Sequence, residues 1–278
     1  MLVSAHPRRR LGVPVEQARL HFGSPGADSY RRCLFLSDAP AFDLSLWCTS
    51  CPFLFERQPG ANEKPGGDRE PLTRLEGALH GVDDAVLETF APLLPAGDYL
   101  PLLLEVTPEL VAPHDDRDYF THEQVQTWGV DRFWGLPENP RSFYYRTFET
   151  AVDDEAHLYE FVVPMVPPAW NDRDRVRHYE ELIDGGATPT AVALSTLDIC
   201  MPATTGEDTD CYAHWGLTHF LLDGHHKLEA AARTGGRVRL LALVTVGDSL
   251  ATSDEMDRLP SVRDRVRAVR GASGEASR

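Results

Sequence analysis

The sequence lacks any hydrophobic run long enough to cross a membrane. No apolar stretch approaches the roughly 20 residues that a membrane-spanning helix needs. The opening residues 1–17 (MLVSAHPRRRLGVPVEQ) also lack the apolar core and the cleavage site of a secretory signal peptide. We therefore expect no membrane contact and a cytoplasmic location.

Cysteine is scarce and irregularly spaced. The five cysteines are an odd number, whereas a secreted disulfide scaffold usually has an even number at regular spacing. Cys48 and Cys51 have the C-x-x-C spacing of a zinc knuckle or a redox pair. No second such pair occurs later in the chain. A structural zinc site, a redox disulfide and two small residues buried in an aromatic turn therefore all stay open.

Positive charge is also in short supply. The chain has a net charge of -16 and a sequence pI near 5.0. Because nucleic-acid affinity comes mostly from Lys and Arg on phosphates, this balance argues against broad nucleic-acid binding. The 278 residues, 42% of them hydrophobic, are enough for one large domain or two ordinary ones.

The first half of the chain has the alternation and turn signals of β-structure. Short apolar or alternating runs predict strands over residues 14–22, 30–37, 41–48, 99–106, 142–150 and 156–164. A helix with an acidic first turn is predicted over residues 82–90. The fold class is therefore α+β, with a β-rich N-terminal domain over residues 1–152 that carries the C-x-x-C turn. A second domain covers 153–248, and a polar, partly disordered tail covers 249–278, with a short helix near 259–269.

The stretch Thr218–Val246 predicts a strand, a tight turn, a helix, a second turn and a strand. Asp223 stands where a helix N-cap belongs, and Gly224 permits a sharp turn or a close approach to a ligand. Gly235 and Gly236 are typical of a helix that ends in a left-handed cap.

The turn of this unit is crowded with polar side chains. His225, His226 and Lys227 occupy the first turn of the helix, where the dipole disfavours cations unless an anion lies among them. Phosphate is the anion that this arrangement favours, which would leave Asp223 to bind magnesium or to accept a proton. A capped helix with a merely solvated first turn is the alternative. A zinc ion shared by both histidines is disfavoured, because adjacent helical side chains point about 100° apart.

The run D-G-H-H-K-L-E-A-A, with a glycine pair and an apolar strand after it, resembles the ParB/sulfiredoxin superfamily. The free serine kinase branch, with D-G-H-H-R at this turn, is the most similar. The resemblance covers about Phe161–Val246 and implies an α/β domain after the β-rich N-terminal region. In that domain, Phe161–Pro167 would be the first strand, Arg173–Ile183 a helix and Thr188–Leu194 the next strand.

The resemblance also implies a nucleotide site with magnesium, for ATP, ADP or CTP. Gly224, His225, His226 and Lys227 would bind the phosphates. Asp223, His225 and His226 would be catalytic, and Asp223 would also hold the magnesium. The kinase branch further uses a glutamate base from earlier in its domain.

Three glutamates are candidates for that base: Glu160, Glu180 and Glu181. Two departures from the family narrow the chemistry. Sulfiredoxins carry their catalytic cysteine where His225 stands, which argues against sulfinate reduction. Lys227 replaces the usual arginine, so a point charge remains but bidentate phosphate binding is lost.

These observations predict a nucleotide-dependent phosphotransferase or nucleotide hydrolase that acts on a small molecule, such as a free amino acid or another hydroxyl compound. The alternative is a non-catalytic nucleotide-sensing module that switches partner binding, as in the partition-protein branch. DNA binding or nicking is a weaker third interpretation. The insertion over residues 200–215 is either a lid that selects the substrate or a plain surface loop. The oligomeric state does not follow from the sequence.

Overall fold

The structure is a computed structural model that describes residues 1–26, 31–44, 55–62, 73–113, 115–120, 142–200 and 213–265. Cys48 and Cys51, most of the insertion over 200–215 and the end of the tail lie outside the described residues. The described chain is a mixed α/β structure with a large mixed sheet and four α-helices. The helices are α1 (Asp84–Phe90), α2 (Arg173–Asp184), α3 (His225–Thr234) and α4 (Ser253–Arg263).

Thirteen strands are present in this part of the chain. They are β1 (Leu2–Ala5), β2 (Arg9–Leu11), β3 (Leu20–Gly23), β4 (Cys33–Leu36), β5 (Ala39–Asp43), β6 (Glu56–Arg57), β7 (Gly97–Val106), β8 (Glu109–Val111), β9 (Tyr144–Asp153), β10 (Ala156–Pro164), β11 (Thr190–Cys200), β12 (Ala213–Asp223) and β13 (Val238–Thr245). The predicted strands over residues 30–37, 99–106, 142–150 and 156–164 are confirmed with shifted ends. Of the predicted strand over 14–22 only the end belongs to β3, and residues 15–17 form a turn.

The large sheet has nine strands. Its order is β1-β7-β13-β11-β12-β10-β9-β8, and β2 also pairs with β7. Two pairs are parallel, β10 with β12 and β11 with β13, and the other neighbours are antiparallel. The remaining strands form a separate antiparallel sheet in the order β3-β4-β5-β6.

The central strands are apolar on both faces because both faces of the large sheet are covered. In β10, Tyr159, Phe161 and Val163 contribute to one core, and Leu158 and Val162 contribute to the other. The first core also contains the small sheet and α1. The second core contains the buried faces of α2, α3 and α4. The result is a layered arrangement with the large sheet in the middle.

The large sheet runs across the predicted domain boundary. Val152 lies within β9, which forms a hairpin with β10. Strands β7, β8 and β9 begin before that residue, and β10 to β13 come after it, yet all belong to the same sheet.

The segment after β13 contributes to the core. Helix α4 begins at Ser253, earlier than predicted, and a capping box between Thr252 and Glu255 fixes its start. Met256, Leu259 and Val262 on α4 are buried in the second core. Up to residue 265 this segment is therefore folded, and residues 266–278 lie outside the described part of the chain. Of the helices that the structure describes, none is both long and apolar enough to cross a membrane.

Candidate functional site

The turn between β12 and α3 differs in one respect from the prediction. Asp223 is the last residue of β12, and Gly224 occupies the N-cap position at φ 99° without any side-chain cap. The prediction of Asp223 as the N-cap was therefore wrong. A Cβ on Gly224 would lie 2.6 Å from the Cβ of Ala191, so only glycine fits both the backbone conformation and the space. At the other end, the left-handed cap at Gly235 is confirmed, with φ 67°.

Lys227 is buried and held by two oxygen atoms. Its Nζ donates to the backbone carbonyl of Thr190 at 3.0 Å and to Oδ2 of Asp223 at 3.1 Å. The ammonium also lies 5.7 Å from the ring centre of Tyr179, close enough for a cation–π contact. The side chain of Asp223 is 38% exposed, whereas that of Lys227 is 5% exposed. The carboxylate therefore faces water while the cation is fixed beneath it.

The two histidines accept hydrogen bonds from the backbone. Nε2 of His225 accepts from the amide of Met165 at 3.1 Å, and Nε2 of His226 accepts from the amide of Asp172 at 3.1 Å. An imidazole nitrogen that accepts carries no proton, so in each ring we place the hydrogen on Nδ1. The two Nε2 atoms bind different amides, so they do not converge on one position where both could bind a zinc ion. The sequence already disfavoured such a site.

These bonds attach residues 165–172, here called the docked loop, to the start of α3. The loop is held at a third point, where Asn171 Nδ2 donates to Glu229 Oε2 at 2.7 Å. Glu229 also receives a two-pronged ion pair from Arg173, at 2.6 Å to Oε1 and 3.0 Å to Oε2. The bond to Glu229 raises the pKa of Arg173 above its ordinary value. The docked loop is thus fixed along its length.

A small cleft opens beside the first turn of α3. Its cavity volume is about 20 Å³, which is enough for about one water molecule. A larger ligand therefore places only part of itself inside and the rest at the mouth. The residues that line the cleft are Glu76, Arg175, Tyr179, Asp223, Gly224, His226 and Lys227.

Glu76 is a cleft residue that the sequence reasoning missed. The hydroxyl of Tyr179 donates to both of its carboxylate oxygens at 2.9 Å. Burial, and then this bond to Glu76, raise the pKa of Tyr179, so the phenol stays protonated. The segment is held in place by Thr190, whose hydroxyl donates to Gly77 O at 2.8 Å and accepts from the amide of Leu79 at 3.0 Å. No local sequence pattern around Glu76 predicts that it lines the cleft.

The three glutamates predicted as a possible base do not line the cleft. Glu160 is 1% exposed. Glu180 pairs with Arg233 at 3.0 Å on the surface, and Glu181 is also absent from the lining residues. Among the described glutamates, Glu76 is the one that lines the cleft.

Glu160 belongs instead to a buried polar network. Its carboxylate accepts from Arg263 Nε at 2.5 Å and from the Thr147 hydroxyl at 2.5 Å. His219 Nε2 lies 3.8 Å away, and His219 Nδ1 is 2.7 Å from the Ser195 hydroxyl. Burial raises the pKa of Glu160, but Arg263 and His219 outweigh it, so the pKa lies below its ordinary value. The order Ser-His-Glu resembles a nucleophilic triad, but at 1% exposure or less no substrate reaches it.

Metal ligands are sparse in the part of the chain that the structure describes. That part contains no group of three or more His, Cys, Asp or Glu side chains placed to hold a metal ion. Zinc at Cys48 and Cys51 falls on residues outside the described ranges and stays a prediction. Magnesium at Asp223 stays a prediction as well.

No protein family, curated protein or solved structure matches the chain. The resemblance to the ParB/sulfiredoxin superfamily therefore rests on the D-G-H-H-K turn and the order of the elements around it.

Proposed function

We propose that the cleft at the start of α3 binds the terminal phosphates of a nucleotide and supports phosphoryl transfer to a small hydroxyl compound, or hydrolysis of the nucleotide. The observation that carries the proposal is the composition of the cleft. Two cations, Arg175 and Lys227, and two carboxylates, Glu76 and Asp223, meet beside a helix N-terminus. Phosphoryl transfer depends mostly on positioning and charge stabilisation, and these groups supply both.

We infer from the charge balance of the cleft that the nucleotide would bind as its magnesium complex. The helix N-terminus and the two cations favour an anion, but the two carboxylates cancel the formal charge of the cations. A polyphosphate thus needs a divalent cation to offset Glu76 and Asp223. Magnesium is usually held by one or two carboxylates together with phosphate oxygens, and the exposed carboxylate of Asp223 fits that pattern. Magnesium, when bound, would neutralise charge on the phosphates.

The other residues of the cleft have separate proposed roles. Glu76 would accept the proton of an attacking hydroxyl. Its neighbour Tyr179 keeps its own proton, because burial and then the bond to Glu76 raise the pKa of the phenol. Lys227 holds Asp223 in one orientation and places a positive charge under the phosphates. Gly224 keeps the backbone of the turn close to β11.

The proposal includes the ParB/sulfiredoxin-like arrangement of this part of the chain. Its support is the order of elements. A strand (β10), a helix (α2), a strand (β11), the D-G-H-H-K turn with α3, and a last strand (β13) occur in the order that the resemblance implies.

One observation favours a nucleotide-sensing module as the second candidate. His226 lines the cleft and also accepts the amide of Asp172 in the docked loop. A ligand that displaces His226 would therefore loosen the loop, which is how a sensing module changes a surface for its partner. Catalysis and sensing share the same cleft and differ in whether product forms.

The test is incubation with ATP, ADP or CTP, magnesium and a mixture of free amino acids and other hydroxyl compounds, with detection by mass spectrometry. We expect a phosphorylated product or released phosphate. Glu76→Gln should lower turnover by roughly 100-fold or more, the usual contribution of a general base. Asp223→Asn weakens the proposed magnesium ligand and should also lower turnover. Glu180→Gln, a carboxylate change on α2 outside the cleft, is the matched control and should leave turnover unchanged.

Circular dichroism and thermal melting would show that each variant is folded. Unchanged turnover in both cleft variants would contradict the enzyme proposal. Binding without product in the wild-type protein would favour the sensing module, and no binding of any nucleotide would remove both.

A further inference from the structure

Trp170 is an exposed aromatic residue whose backbone is held by hydrogen bonds. Trp170 is 55% exposed, whereas Trp215, the other tryptophan that the structure describes, is 2% exposed. A tryptophan is usually placed where most of its large apolar surface is covered. An exposed indole on a mobile loop would need no explanation, but this one belongs to the docked loop.

The backbone around Trp170 is fixed on both sides. The amide of Trp170 donates to the carbonyl of Pro167 at 2.9 Å, and Arg173 Nη2 donates to the carbonyl of Pro168 at 2.7 Å. Two residues further on, the amide of Asp172 is bound by His226. The exposed ring is therefore presented from a rigid turn, which lowers the entropy lost when a ligand packs against it.

Trp170 is also close to the cleft along the chain. Asp172 contacts the cleft residue His226, and two residues span at most about 7 Å. The cleft has a volume of about 20 Å³, so it admits only the end of a polyphosphate and leaves the rest of a nucleotide at the mouth. The docked loop, which contacts the cleft residue His226 through Asp172, therefore carries an exposed indole two residues before that contact.

We propose that Trp170 is the stacking platform for the base of the nucleotide whose phosphates enter the cleft. This inference rests on the proposed function and adds a specificity element to it: the preferred ligand has a planar aromatic group at the end opposite its phosphates. Stacking on an indole tolerates every base because each base has a π-face. The preference is therefore for nucleotides over phosphates without a base.

The experiment measures the affinity of two magnesium complexes by calorimetry, ATP and inorganic tripolyphosphate, which lacks the base. Trp170→Ala should weaken ATP binding by roughly tenfold, in the range that loss of one stacked base gives. Tripolyphosphate affinity should not change. Trp170→Tyr keeps an aromatic ring and should retain most of the ATP affinity. Phe143→Ala removes an exposed ring elsewhere, 42% exposed, and should change neither ligand.

Two results would overturn the inference while leaving the proposed function intact. One is unchanged ATP affinity in Trp170→Ala while tripolyphosphate binds the wild-type protein. The other is an equal loss for both ligands, which would show that Trp170 supports the loop and not the base. If neither ligand binds the wild-type protein, the proposed function fails, and this inference fails with it.

Discussion

Two polar clusters lie along β12, and they differ in how much water reaches them. The cleft at the end of the strand uses Asp223, whose side chain is 38% exposed. Further back along the same strand, His219 belongs to the network around Glu160, where the Glu160 and Arg263 side chains are completely buried. Both clusters combine a histidine, a carboxylate and a cation. Only the first leaves a carboxylate open to a solute.

The difference shows how similar chemical groups serve two purposes. In the buried network the ion pair joins α4 to β10 and has no access to substrate. In the cleft, Lys227 is buried but its partner Asp223 faces outward. Burial, more than residue type, thus separates a structural polar cluster from a candidate site. Substitutions in each cluster probe this contrast, beginning with the largest effect.

Arg263→Met should be the most damaging single change. It leaves the Glu160 carboxylate buried without its cation, which typically costs about 3–5 kcal/mol. Urea unfolding would measure the loss in the free energy of unfolding. The double variant with Glu160→Gln removes both charges and should recover most of that loss, since a buried pair often contributes little net stability.

The matched control is Arg258→Met. Arg258 lies on the same helix as Arg263 and forms an exposed ion pair with Asp153 on β9. Exposed pairs contribute about 0–1 kcal/mol, so this variant should unfold almost like the wild-type protein. Equal losses for Arg263→Met and Arg258→Met would show that the Glu160 network does not stabilise the fold as a buried ion pair.

The buried network also marks the limit of what the sequence predicts. The D-G-H-H-K turn, its helix and the Gly235 cap were predictable because their signals are contiguous. Glu160 and Arg263 stand 103 positions apart, and no local pattern pairs them. Glu76 was not predicted for the same reason, because its bond to Tyr179 also spans 103 positions.

Local errors have a different cause. Asp223 was predicted as the helix N-cap because its side chain suits that position, but Gly224 can adopt the left-handed conformation, and the strand runs on through Asp223. The histidines were predicted as donors to an anion. In the structure their Nε2 atoms accept hydrogen bonds from the backbone amides of Met165 and Asp172, which lie 60 and 54 positions earlier. Phosphate binding by these residues stays a prediction.

The two glycines at the ends of α3 should differ in how strongly an alanine destabilises the protein. Gly224 and Gly235 flank α3, and both have positive φ, so an alanine at either costs about 1–2 kcal/mol of backbone strain. Only at Gly224 would the new Cβ also collide, 2.6 Å from Ala191, whereas nothing lies within 4 Å at Gly235. Overpacking adds about 1–3 kcal/mol, so Gly224→Ala should be the more destabilising variant by that margin. Thermal unfolding of the two variants side by side would decide, and equal melting temperatures would contradict the close packing of the turn.

The last prediction concerns the docked loop. His225→Ala leaves the amide of Met165 without its acceptor, a loss of about 1–3 kcal/mol if the amide stays buried. His225→Gln retains a side-chain oxygen that can accept the same bond and should lose less. Hydrogen exchange should accelerate at Met165 in the alanine variant and change little in the glutamine variant. Exchange that is equally slow in both would show that His225 does not hold the loop.

The central claim is that phosphates bind at the first turn of α3, and a crystal structure with magnesium and a non-hydrolysable ATP analogue tests it most directly. We expect the terminal phosphate against Arg175 and Lys227, with Asp223 as a residue that would hold the magnesium. A nucleotide bound elsewhere on the protein, or an unchanged cleft at saturating concentrations of the analogue, would contradict it.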